Sequence, residues 1–330
     1  MSWRGRRVLV TGADGFIGSH LTEALARAGA SVRAFCLYNS NGSWGWLDQS
    51  ARAIRDTLDV RLGDIRDARF VEQACEGIEV VFHLAALVAI PYSYTAPESF
   101  VDTNVRGTLN VLEAVRRARC ARVVNTSTSE VYGTPDVLPI TEQHPLRGQS
   151  PYSATKIAAD KLCEAYWSSF DVPVMTLRPF NTYGPRQSAR AIIPTILTQL
   201  LAGQTVIRLG NTKTRRDLTF VTDTVEGFLR AGEVPGVEGR TIQLGTGRAE
   251  SVQDVFQAAC LVCGLEARVE HDPARLRPDR SEVVALQADP SLARELLGWR
   301  ATVTLEEGLT RTADWLRGKV DQYRPGVYAI

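Results

Sequence analysis

The sequence predicts an α/β protein built on a doubly wound parallel sheet, with a smaller C-terminal lobe. Three observations carry this. Short apolar, β-branched runs alternate with helical patterns through the first half of the chain, the signature of βαβ units. The first crossover is a glycine turn, Gly12-Ala-Asp-Gly15-Phe-Ile-Gly18, between a strand and a helix. Beyond Arg178 the texture shifts to shorter elements and loops dense in turn formers. The expected division is therefore 1–178 for a dinucleotide-binding, Rossmann-like domain and 179–330 for a substrate-binding lobe, with chain crossings between them.

Val8-Leu-Val10 opens the first strand, and the helix after the glycine turn carries Leu21 and Leu25 before closing at Gly29. A glycine turn placed directly after a strand lets the backbone approach a pyrophosphate, while the helix N-terminus supplies partial positive charge. Gly12, Gly15, Phe16, Ile17 and Gly18 are accordingly candidate cofactor residues. The second strand, Ser31 to Leu37, is expected to end in an acid that grips the adenosine ribose. Cys36 stands there instead. With no carboxylate to repel a 2′-phosphate and no arginine pair to bind one, NAD is expected and NADP stays possible. Asn39 and Ser40 suit either.

Asp64 and Ile65 end a third strand, where the carboxylate can accept from the adenine amino group and Ile65 can pack on the ring. An N-cap role for Asp64 is the alternative. The strand at Val80 leads into His83-Leu84-Ala85-Ala86, whose small residues allow close approach to a cofactor, with His83 read as structural. Glu98 to Arg119 follows as one long helical pattern.

The next strand, Arg122 to Thr126, opens into Thr126-Ser-Thr-Ser-Glu-Val-Tyr132. The helix after it begins Pro151-Tyr152-Ser-Ala-Thr-Lys156, with proline at the tolerated first turn. Tyr152 and Lys156 share a helical face, so the ammonium can lower the phenol pKa and make Tyr152 a base. Thr128 is placed to hydrogen-bond the same substrate hydroxyl. After Val174 to Arg178 comes Pro179-Phe-Asn181-Thr-Tyr-Gly-Pro-Arg186, read as a ligand-carrying loop. Arg216 and Arg277 lie in later loops, where arginines either clamp a diphosphate bidentately or are merely solvated.

The formal net charge is +1, from 38 basic and 37 acidic side chains, so no global field favours nucleic acid or an anionic membrane. The cysteines Cys36, Cys75, Cys120, Cys163, Cys260 and Cys263 are scattered in apolar stretches, which suits a reducing compartment and no disulfide framework. Cys260 and Cys263 form a CxxC without partner ligands, and no metal site is expected. The longest apolar run, Val80 to Ile90, is too short to span a bilayer. A cytoplasmic location is expected.

Taken together, TGADGFIG, GDIRD, HLAA, TSTSEVYG, YSATK, RPFNTYGPRQ, RRDLTFV and LLGW resemble the extended short-chain dehydrogenase/reductases that act on nucleotide sugars. Thr128-Ser129-Glu130 is similar to the triplet of sugar 4,6-dehydratases. UDP-glucuronate decarboxylases also carry the Glu, whereas simple 4-epimerases usually lack it. The stretches Tyr38–Trp46 and Asn181–Arg190 resemble the GDP-N-acetylglucosamine 4,6-dehydratases of the legionaminic-acid pathway.

The resemblance implies Tyr152 as the base on the C4 hydroxyl, Lys156 as its partner, Thr128 as a hydrogen-bonding hydroxyl and Glu130 as the C5 base. Ser129 takes the place of an Asp that protonates the departing O6 in thymidine-nucleotide enzymes. Asn181 and Arg216 would meet the diphosphate, Arg186 the substrate and Arg277 the nucleotide. Glu282, in Arg277-Pro…Glu282-Val, would read guanine, or be a surface acid. The competing readings are a decarboxylase or 4-epimerase sharing the same first oxidation, and a non-catalytic NAD-binding sensor. The helices of residues 98–119 and 151–170 resemble the pair that forms an intersubunit four-helix bundle, which implies a homodimer.

Overall fold

The computed structural model describes residues 3–328. Its centre is a seven-stranded parallel sheet. Six strands come in sequence: β1 (Arg7–Thr11), β2 (Ser31–Leu37), β3 (Asp59–Gly63), β4 (Val80–His83), β5 (Arg122–Thr126) and β6 (Val174–Pro179). The seventh, Thr241–Leu244, returns from the second half of the chain and pairs with β6. The spatial order 3-2-1-4-5-6 reverses between β1 and β4. A crevice outside the carboxyl ends of the strands at such a switch point is where open α/β sheets bind ligands.

Both faces of the sheet are covered, which is why its strands read as near-continuous apolar runs. Val8 and Val10 of β1 join one buried cluster with Leu21 and Leu25 of the helix Phe16–Arg27 and with Phe228 of the helix Val221–Glu233. Leu9 points the other way, into a cluster with Val71, Val111, Leu112 and Tyr166. The alternation along β1 thus assigns each residue to one layer.

Two expectations are corrected. The helical pattern from Glu98 to Arg119 is not one regular helix: Pro97–Phe100 runs into a π-helical stretch, Val101–Arg106, before Gly107–Ala118. Asn104, buried within that stretch, exchanges hydrogen bonds with both backbone groups of Leu87 at 2.9 Å and donates to Thr155 at 3.0 Å. The irregular turn therefore ties the loop after β4 to the Tyr152 helix, a placement typical of π-bulges. The stretch from Pro179 is also not wholly loop, since Asn181–Tyr183 forms a strand paired with Leu218, Thr219 and Phe220.

In the remainder, Arg215–Phe220 is flanked by Ala249–Ser251 and Ala285–Leu286, and Val206–Leu209 pairs with Arg268–His271. Asp217 pins this small sheet: its carboxylate accepts from the backbone N–H groups of Thr246, Gly247 and Ala288. Among the described residues no helix is long and apolar enough to cross a membrane.

Candidate active site

The glycine turn joins β1 to the helix Phe16–Arg27, whose N-cap Gly15 makes no side-chain cap bond. First-turn N–H groups have no acceptor within their own helix, so here they remain for an anion. Gly12 has φ +68°, and a Cβ on it would lie 2.8 Å from the Ala85 amide nitrogen. A Cβ on Gly18 would collide with the Gly12 carbonyl oxygen. Thr11 fastens the opposite wall, its Oγ1 accepting from the N–H groups of Leu84 and Ala85 at 3.1 Å. Uncapped amides beside a turn with no room for side chains fit the diphosphate of a dinucleotide. His83 serves structure, lying between Thr11 (2.8 Å) and Thr108 (3.1 Å), and burial drops its pKa to about 3.

Ser150 caps the helix Pro151–Phe170 through a capping box with Ser153, which fixes where Tyr152 emerges. The phenol is buried against Ile90, Phe100 and Leu87. That burial pushes its pKa up, with the nearby Glu130 and Asp160 carboxylates acting the same way, while the Thr128 hydroxyl and the Arg190 guanidinium pull down. The expected pairing with Lys156 is corrected: its Nζ donates 2.5 Å to the Thr126 carbonyl at the end of β5. Desolvation lowers the lysine pKa and Asp160 raises it. Arg190 is the cation acting on Tyr152 that the sequence did not single out. It sits on a loop 38 positions away, so no helical spacing signals it.

Thr128 precedes a 3-10 turn, Ser129–Tyr132, and its Oγ1 accepts from the Glu130 N–H at 3.2 Å. Ser129 is buried. The Glu130 carboxylate lies 3.8 Å from Arg216 Nε, and Arg216 Nη2 lies 3.8 Å from Glu282. Arg277 Nη1 approaches the same Glu282 oxygen at 3.8 Å. All three contacts are beyond hydrogen-bond length. Arg216 is held by its backbone partners, donating to the carbonyls of Val283 (2.9 Å) and Arg215 (3.0 Å). Burial lowers its pKa, and Glu130 opposes that. Asn181 Oδ1 and Arg277 Nη1 are buried without a hydrogen-bond partner. The structure thus brings Glu130, Arg216, Arg277 and Glu282 into one wall.

Behind the Thr128 turn lies a second network, also missed from sequence. Asp160 Oδ2 accepts from Ser127 Oγ (2.7 Å) and from Arg178 Nε (3.1 Å) and Nη2 (2.9 Å). Arg178 Nη1 also donates to the Tyr132 hydroxyl at 3.0 Å. The available signal was Asp160 one turn after Lys156, on the same helical face.

Other expected residues have different partners. Arg186 is turned to the glycine-turn helix, pairing with Glu23 at 2.7 Å and donating to Ser19 at 3.1 Å, so it clasps the loop rather than facing a substrate. The Asn39 amide is spent within its own loop, donating to Leu37 and Ser43 carbonyls and accepting from the Ser43 N–H. Ser40 is exposed. Asp64 holds Arg66 at 2.6 Å, and the N-cap of the next helix is Asp67. Ile65 is buried against Gly107, whose lack of a side chain makes room for it.

The family profile described as GDP-mannose 4,6 dehydratase matches residues 9–312. A UDP-glucose 4-epimerase of Mycolicibacterium smegmatis is 34% identical, over 95% of this chain and 99% of that one. A dTDP-glucose 4,6-dehydratase of Xanthomonas campestris is 32% identical, over 93% and 92%. Among solved structures, a mutant UDP-glucuronic acid 4-epimerase from Bacillus cereus, in complex with UDP-4-deoxy-4-fluoro-glucuronic acid and NAD, superposes with a TM-score of 0.86 at 27% identity. That likeness covers 96% of this chain and 99% of the other. Matches of this length, running through both lobes, show that the chain belongs to the extended short-chain dehydrogenase/reductases of the GDP-mannose 4,6 dehydratase family, whose homologues are nucleotide-sugar dehydratases and epimerases.

Proposed function

We propose that the protein is a nucleotide-sugar 4,6-dehydratase that uses NAD, with GDP-N-acetylglucosamine as the substrate the sequence favours. The observation that carries the reaction type is the carboxylate of Glu130. It acts on Tyr152, raising the phenol pKa, and has no tight ion-pair partner. Elimination of water across C5 and C6 needs such a base, because a ketone at C4 acidifies the C5 proton. Held by the amides of the glycine turn, a bound NAD would supply the acceptor for the C4 hydride and return that hydride to C6, with C5 taking a proton from solvent. Tyr152 Oη takes the C4 hydroxyl proton, with Thr128 holding that hydroxyl. Glu130 then removes the C5 proton. Ser129 is a poor acid, so Glu130 or a water completes proton transfer to the departing O6. Asn181, Arg216 and Arg277 are the groups with spare polar capacity for a diphosphate, and Glu282 offers a carboxylate to the guanine Watson–Crick edge.

The 34% identity to a UDP-glucose 4-epimerase favours epimerisation as a second reading. Substrate deuterated at C4 separates the two by mass spectrometry and NMR. A dehydratase yields a 4-keto-6-deoxy sugar with deuterium at C6. Deuterium at C4 in the product means epimerisation, and carbon dioxide release from a uronic acid means decarboxylation. A panel of GDP, UDP and dTDP sugars identifies the nucleotide.

The chain is further expected to pair through the helices Gly107–Ala118 and Pro151–Phe170, which expose Leu109, Trp167 and Phe170. Light scattering at micromolar concentration should give twice the chain mass.

A further inference from the structure

The end of β2 lacks the acid that would hold the adenosine ribose, yet the space around it is not free of negative charge. Asp14, in the glycine turn, lies beside it. The backbone amides of Asp14 itself and of Leu37, the last residue of β2, pull the Asp14 carboxyl pKa down against the larger upward push of burial. The main chain of Asp14 is fixed as well: the Ala13 N–H donates to the Phe35 carbonyl at 3.2 Å, and the Asp14 carbonyl accepts from Trp46 at 3.1 Å. The loop after β2 closes onto it so tightly that a Cβ on Gly45 would stand 2.9 Å from the Asp14 Cβ. Asp14 and Asp48 both act electrostatically on the buried Cys36 thiol, whose pKa is driven to about 12, chiefly by burial.

The two acids serve different segments, Asp14 facing the end of β2 and Asp48 its own loop, and neither pairs with a lysine or arginine among the described residues. Asp48 accepts from Ser43 Oγ (2.6 Å) and the Trp44 N–H (3.1 Å), so it braces its own loop. Partial burial raises the Asp14 pKa. A carboxylate desolvated without a cation is costly unless a ligand's donors complete it.

We propose that Asp14 takes over the task of the missing acid at the end of β2, accepting hydrogen bonds from the adenosine ribose hydroxyls and excluding a 2′-phosphate, so that the protein selects NAD over NADP. This rests on the reading of the glycine turn as a dinucleotide site. A ribose diol gives two O–H donors to one carboxylate, whereas a phosphate there would set two anions against each other with no arginine to neutralise them.

The test is competitive retention. Purified protein is incubated with equimolar NAD and NADP, passed through gel filtration, and the retained dinucleotides are released by heat and quantified by mass spectrometry. The natural chain should retain NAD over NADP by about tenfold or more, the scale of a charge-assisted hydrogen bond. Asp14→Asn and Asp14→Ser, checked for native circular dichroism, should each lower that ratio by roughly tenfold. Asp48→Asn should leave it largely in place. An unchanged ratio in both Asp14 variants, an equal shift in Asp48→Asn, or preferential NADP retention by the natural chain overturns the assignment to Asp14 alone. Retention of neither dinucleotide by the natural chain overturns the dinucleotide reading beneath it.

Discussion

Two arginine–carboxylate networks flank the Thr128 turn, and they are built to opposite tolerances. Behind it, Asp160 and Arg178 are almost fully buried, at 4% and 5% side-chain exposure, and meet at 2.9 Å, with Ser127 and Tyr132 taking further polar atoms. In front, Arg216 stands between Glu130 and Glu282 at 3.8 Å from each, and Arg277 is equally distant from Glu282. Buried charges are tolerable when every partner is satisfied. The rear network meets that condition from within the fold. The front one does not: Glu130 and Glu282 keep their arginines beyond hydrogen-bond length, and Arg277 Nη1 is buried without a hydrogen-bond partner. Closeness of pairing, more than burial or residue type, separates a structural arginine from a candidate ligand-binding one.

The contrast can be broken first at the rear. Asp160→Asn strips Arg178 of its counter-charge, and losing one member of a buried pair costs about 3–5 kcal/mol. Chemical denaturation should show a loss of that size; a change under about 1 kcal/mol, typical of exposed pairs, would mean the rear network is no better satisfied than the front. At the front, Glu130→Gln should reduce dehydration by about 10²-fold or more, the scale of a general base, while leaving stability nearly unchanged. Tyr152→Phe should abolish the first oxidation as well, and transfer of deuterium from C4 to the nicotinamide, read by mass spectrometry of the cofactor, distinguishes the two variants.

Arg216→Gln should weaken binding of a nucleoside diphosphate by roughly tenfold or more in calorimetry. Because this guanidinium is desolvated without a close carboxylate, its thermal midpoint should hold or rise. A fall as steep as that of Asp160→Asn would erase the distinction between the networks. The smallest effect concerns the Arg186 clasp. Burial pushes the Glu23 pKa up, but Ser50, Arg186 and Arg27 together bring it below its ordinary 4.5. A depressed carboxylate stabilises the fold above its unfolded pKa and loses that contribution as pH falls through the folded value. The gap in melting temperature between the natural chain and Glu23→Gln should therefore be widest above about pH 4.5 and close below it.

Much of this was legible from local patterns. The strands β1 to β6 and the glycine turn could be placed because burial on both faces and close backbone approach each demand particular residues within a few positions of one another. Tyr152 and Lys156 could be paired for the same reason, since one helical turn fixes their common face. Their electrostatic coupling could not. Lys156 bonds the Thr126 carbonyl, 30 positions away, and Arg190 arrives from a different loop. Asn104 looked like an ordinary member of a long helix, and only its bonds to Leu87 and Thr155 explain the π-helical stretch around it.

The sequence by itself determined the alternating strands and helices of a parallel sheet, the glycine turn after the first strand and the shared face of Tyr152 and Lys156. Each follows from spacing along one or two adjacent elements, while the roles of Thr128 and Glu130 came from the family resemblance. Tertiary structure alone decided which charged side chains remain open to a ligand. Arg186 finds Glu23 at a separation of 163 residues, and Arg178 finds Asp160 at 18. Arg216 is fixed to the Val283 carbonyl, 67 positions on, while its charge stays loosely paired. An arginine carries the same charge in every loop, and whether folding satisfies that charge depends on partners that chain order does not bring near.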